Sequence, residues 1–98
     1  MKNLKVLFAA ILLLSIFSTS CEKAPHANFT YTQNGGGTVN FTNTSSNASS
    51  YTWNFGDGTS SDETSPSHTY SNTGTYSVTL TAKGAGGTGT NTQNITVL

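Results

Sequence analysis

Three observations predict an all-β fold for this 98-residue chain. Apolar residues recur at every second position, clusters of Gly, Asn, Ser and Thr separate the short runs, and no helical period appears beyond residue 20. Ala27, Phe29 and Tyr31 alternate with Asn28, Thr30 and Thr32 and give a first strand, which the turn formers of residues 33–37 end. Val39 and Phe41 make a second strand, and Tyr51, Trp53 and Phe55 form the apolar face of a third. Gly56, Asp57 and Gly58 break that strand, and the polar stretch to Ser65 reads as a loop holding a short edge strand. Residues 66–70 are a further extended segment, since Pro66 is tolerated at a strand start. Tyr76, Val78, Leu80 and Ala82 alternate through the clearest strand. Residues 84–89 form a glycine-rich hairpin, and Ile95 with Val97 closes the sheet.

Aliphatic residues are scarce after residue 20, so the core is expected to be aromatic. Trp53, Phe55, Tyr51, Tyr76, Phe29 and Phe41 can each bury about 150–250 Å². Tyr70 lies outside that set and is read as an aromatic available to the surface. The abundance of Ser, Thr, Asn and Gly would also suit disorder, but regular alternation and low charge argue for a folded domain.

Residues 1–20 stand apart. Two of the four basic residues fall within the first five positions, and residues 6–17 are apolar except for Ser15, the order of a secretory signal. As a helix that run would rise only about 18 Å, against a hydrocarbon core of about 30 Å, so it is too short to span a membrane. Ser18, Thr19 and Ser20 lead into Cys21, the single cysteine. This arrangement resembles the lipobox of bacterial lipoproteins, in which the cysteine is acylated and becomes the new N-terminus. It departs from that pattern at Ser18, where Leu is usual, and simple secretion with a free thiol is the alternative. Residues 21–26 then form a lipidated cysteine and short tether, and residues 27–98 the folded domain.

Without residues 1–20 the chain carries Lys23 and Lys83 against Glu22, Asp57, Asp62 and Glu63, a net charge of −2. Two lysines and no arginine cannot neutralise a row of phosphates, which excludes nucleic acid as a partner class. One cysteine excludes an internal disulfide, so the core alone must hold the domain.

The run Y-T-W-N-F-G-D-G from Tyr51 to Gly58, followed by Pro66, His68 and Tyr70 and by Gly74, Tyr76, Val78 and Leu80, resembles the PKD domain. The likeness covers residues 27–98 and departs from the family pattern at Asn54, where Asp is common. It implies an immunoglobulin-like two-sheet β-sandwich of about seven strands without the antibody disulfide. In such a fold Trp53 sits between the sheets, and Tyr76 can send its hydroxyl to a nearby backbone group as a tyrosine corner or act as a plain core residue. Trp53 shares its face with Tyr51 and Phe55, which argues for core over sugar stacking.

The remaining candidates have structural and functional readings side by side. Gly56 and Gly58 permit positive φ, and the Asp57 carboxylate can accept from backbone N–H groups just downstream, which is turn chemistry. Calcium is the rival at Asp57, Asp62 and Glu63, but the spaced ligands of an EF-hand loop are missing. His68 is expected to pack beside Tyr70 or bond a loop carbonyl. His26 and His68 are too few for a zinc site. Residues 35–37 lack the Lys and Ser/Thr of a phosphate loop, and no serine sits in a nucleophile context. The sequence therefore reads as a non-catalytic envelope lipoprotein without metal or cofactor. Its expected partners are a protein or polysaccharide of the cell envelope and, through the lipid anchor, the membrane. A spacer or accessory subunit is the alternative.

Overall fold

A computed structural model describes residues 23–98. The expectations for the signal segment and Cys21 lie outside these residues. Seven strands follow in chain order: β1 (Phe29–Gln33), β2 (Thr38–Asn43), β3 (Ser50–Asn54), β4 (Ser60–Ser61), β5 (Ser67–Thr69), β6 (Gly74–Gly84) and β7 (Gly87–Val97). They form an antiparallel three-stranded sheet, β1-β2-β5, and a four-stranded sheet, β4-β3-β6-β7. The architecture is the two-sheet β-sandwich that the alternation and the family likeness imply.

The two inner faces meet in an aromatic core. Trp53, on β3, is fully buried, with ring centroids 5.0 Å from Phe29 on β1 and 5.2 Å from Phe41 on β2. Phe41 lies 5.5 Å from Phe55, so these rings interlock across the sheets in edge and tilted geometries that favour aromatic pairs. Val39, Val78, Leu80, Ala82, Ile95 and Val97 fill the space between. The Trp53 indole N–H donates to the Glu63 carbonyl at 2.9 Å, which satisfies the one polar atom that the ring carries inward.

Three expectations change. Tyr70, assigned to the surface, is 3% exposed; its hydroxyl donates to the Phe55 carbonyl at 2.8 Å and its ring stacks on Tyr76 at 4.2 Å. Burial, then Asp57 and Tyr76, raise its pKa, so it stays a proton donor. Tyr51 and Tyr76, assigned to the core, are only partly buried and pack against its margin. Tyr76 sits there because its hydroxyl reaches out to the Asn72 carbonyl at 2.8 Å, the corner arrangement.

The third change concerns the last strand. Only Ala85 and Gly86 form the hairpin turn, and β7 pairs with β6 without interruption from Gly87↔Gly84 to Val97↔Gly74. Its lower half carries no apolar period because the N-terminal segment covers it. A Cβ at Gly86 would meet the Lys23 carbonyl, and one at Gly89 the Pro25 carbonyl. Pro25 is buried, and His26 exchanges two backbone hydrogen bonds with Ser46 at 3.0 Å, so residues read as tether pack onto the sandwich.

Candidate functional site

The chemistry of the chain gathers where β3 turns into β4. Asn54 Oδ1 accepts from the Gly56 N–H at 3.0 Å, and the Phe55 N–H donates to the Thr59 carbonyl at 3.1 Å, closing a tight loop. Gly56 holds φ +82°, and a Cβ there would lie 2.6 Å from the Ser77 carbonyl oxygen, so this position requires glycine for both angle and space. Asn54 thus contributes an oxygen to the turn, as an Asp at that place would.

The loop presents Asp57 to β5. Its Oδ1 accepts from the Thr59 N–H at 3.1 Å and from the Thr59 hydroxyl, while Oδ2 lies 2.8 Å from His68 Nε2. The His68 ring stacks flat on Phe55, with centroids 4.1 Å apart and planes 4° off parallel, and meets Tyr70 edge-on at 4.6 Å. Burial acts to raise the Asp57 pKa, but hydrogen bonds from the Thr59 hydroxyl, His68 and the Thr59 N–H, with the charge of His68, outweigh it and hold the carboxyl below its ordinary value.

This cluster cannot run a hydroxyl–histidine–carboxylate relay. A relay needs the imidazole between nucleophile and acid, using its two nitrogens on opposite sides. Here one nitrogen, Nε2, faces both Asp57 at 2.8 Å and Thr59 Oγ1 at 3.3 Å, and the hydroxyl gives its proton to the carboxylate. Two hollows, of about 350 and 210 Å³, lie at opposite ends of the sandwich, the first beside Lys23, Asn47 and Ala85 and the second beside Gly37, Asn72 and Leu98; neither is lined by Asp57 or His68. Among the described residues no three His, Cys, Asp or Glu side chains converge as a metal site. Asp62 and Glu63 do not join Asp57; the Glu63 backbone is tied to Ser61 and Trp53 instead.

Of the residues singled out from sequence, Trp53, Phe55 and Val78 lie in the core, Tyr51 and Tyr76 at its margin, and Gly56, Asp57 and Gly58 in the turn. Of the two surroundings that the sequence allows for His68, the Tyr70 ring and a loop carbonyl, the structure has the first, and it adds the pairing with Asp57 and the Thr59 hydroxyl, which no local pattern in the sequence reveals. The signal was present in two family motifs, G-D-G and H-T-Y, that the fold brings together.

The sandwich and its turn define an immunoglobulin-like two-sheet module. The chain belongs to the PKD domain family, whose model matches residues 22–98. It is similar to the PKD1 domain of Vibrio anguillarum Epp, at 37% identity and TM-score 0.71, over 78% of this chain and 95% of that one. It is also similar to the PKD1 domain of the Vibrio cholerae metalloprotease PrtV, at 40% identity and TM-score 0.68, over 76% and 98%. A structure of carbohydrate-binding modules from the β-sandwich superfamily matches at 27% identity and TM-score 0.63, over 78% of this chain and 34% of that one. Among curated proteins no relative matches.

Proposed function

We propose that the chain is a non-catalytic cell-envelope lipoprotein, anchored through acylated Cys21, whose single PKD domain makes contacts with a protein or polysaccharide partner. The observation that carries the reading is how the domain divides its side chains. The large aromatics are spent on the core, and the outer face of the four-stranded sheet displays hydroxyls and amides. Thr75, Ser77 and Thr79 on β6 pair there with Thr96, Asn94 and Thr92 on β7 through side-chain hydrogen bonds of 2.8–3.2 Å. A surface of this chemistry suits polar contacts with protein backbone or sugar hydroxyls, and the likeness to carbohydrate-binding modules supports the polysaccharide option.

A spacer role is the second reading. It is favoured by the burial of Tyr70, which leaves Leu98 as the one exposed large hydrophobic residue among the described residues. Placing a photo-crosslinking residue at Thr81, on the outer face of β6, in intact cells separates the two. Discrete adducts with one partner support the interaction reading. Absence of any adduct there and at Thr52 on β3 favours the spacer.

A further inference from the structure

The edges of the two sheets are not alike. β4 has two residues, β5 has three and follows Pro66, and on β1 the Phe29 carbonyl is capped by the Gln93 amide at 2.8 Å. Short strands, proline and side-chain caps are the devices that keep a sheet edge from pairing with another chain. β7 is different: it runs eleven residues, forms the outer edge of the four-stranded sheet, and contains no charge, no proline and no bulge in its register.

The backbone parity of β7 follows from the hairpin. Gly84 and Gly87 flank a two-residue turn as a hydrogen-bonded pair, so the odd-numbered residues of β7 bond to β6 and the even-numbered ones point outward. The Gln33 side chain agrees, since it bonds the Thr96 carbonyl and the Leu98 N–H from the outer side. Below that cap, the N–H and C=O groups of Thr88, Thr90, Thr92 and Asn94 face the open edge, where no strand of the described residues pairs with them.

We infer that β7 is a self-association edge, and that its partner is the β7 strand of a second copy of this chain paired antiparallel about a two-fold axis at Asn91. The inference rests on the interaction reading above and names the partner. In this register Thr88 faces Asn94 of the second copy and Thr90 faces Thr92, both as hydrogen-bonded pairs, and the two Asn91 residues face each other in a non-hydrogen-bonded pair. The outer-face neighbours are then hydroxyl with hydroxyl and hydroxyl with amide, the same couples that already join β6 to β7 at Thr79–Thr92 and Ser77–Asn94. No like charges meet across the axis, because none of residues 87–97 is charged. A single pair of edge strands buries little area, so the association is expected to be weak and dependent on concentration.

The test uses the full chain with Cys21→Ser, which removes both the acyl group and the other thiol. Sedimentation velocity over a wide concentration range should show a monomer–dimer equilibrium, and Thr90→Lys with Thr92→Lys should weaken it at least tenfold while tryptophan emission stays native. In the same background Asn91→Cys should oxidise to a disulfide-linked dimer far faster than Thr81→Cys, since facing residues of a non-hydrogen-bonded pair lie about 4.5 Å apart between Cα atoms. A monomer at every concentration, equal oxidation of the two cysteine variants, or a dimer that persists in the folded lysine variant would overturn the inference. Cellular crosslinking to some other molecule alongside a strict monomer would defeat the self-association and leave the interaction reading standing.

Discussion

Asp57 and His68 join the two sheets of the sandwich: the carboxylate sits in the turn that ends β3, the imidazole on β5, and Oδ2 meets Nε2 at 2.8 Å. Phe55 supports the contact from below, since the imidazole lies flat on its ring. The pair therefore links the turn after β3 in one sheet to the edge strand of the other.

This geometry carries a pH dependence. The folded-state pKa of Asp57 lies below its ordinary value, so its contribution to stability is fully present above about pH 4 and is lost as pH falls through the folded value. Asp57→Ala should cost about 1–2 kcal/mol at pH 7, and Asp57→Asn less, because an amide oxygen still accepts from Thr59. Urea unfolding at pH 7 and at about pH 2.5 checks this: the gap between wild type and Asp57→Ala should shrink in acid. A gap of equal size at both values would show that the carboxylate charge contributes nothing.

Gly56 and Gly58 share positive φ but differ in their surroundings. A Cβ at Gly56 strikes the Ser77 backbone, whereas one at Gly58 meets nothing within 4 Å. Gly58→Ala should cost about 1–2 kcal/mol, the strain of the left-handed region alone, and Gly56→Ala clearly more. Equal denaturation midpoints for the two variants would contradict the close approach of the turn to β6.

Trp53→Ala should be the most damaging single change in the core, at about 3–5 kcal/mol, because it removes the ring that touches Phe29, Phe41 and Phe55 and leaves a cavity among them. Since a small domain has about 5–15 kcal/mol in total, the variant should melt far below the wild type in calorimetry.

The anchoring proposal makes a separate prediction. Metabolic labelling with a fatty-acid analogue should mark the wild-type chain, and Cys21→Ser should lose the label. An unlabelled wild type would leave simple secretion in its place.

What could be seen in the sequence was whatever repeats at close range. Phe29, Trp53, Val78 and Leu80 announced their burial because each sits in a run with period two. Tyr70 did not, because β5 is three residues long and offers no period from which to infer a face. The lower half of β7 stayed hidden for another reason: of its inward positions, Gly89 is covered by the Pro25 backbone, and the Gln93 amide donates to the Phe29 carbonyl and to Asn91 Oδ1, so none of the three packs an apolar side chain. The pairing of Asp57 with His68 required knowing that the turn after β3 and the strand β5 fold onto one another, which no local pattern states.

The largest aromatic side chains are spent on the interior, so that partners are met through polar groups. The emission of Trp53, the single tryptophan, tests this most directly. The native chain should emit at a blue-shifted wavelength characteristic of a dry interior, move to the red on unfolding in urea, and show no change when soluble oligosaccharides are added. A red, solvent-like maximum in the native state, or a shift on adding sugar, would contradict it and make Trp53 part of a binding surface.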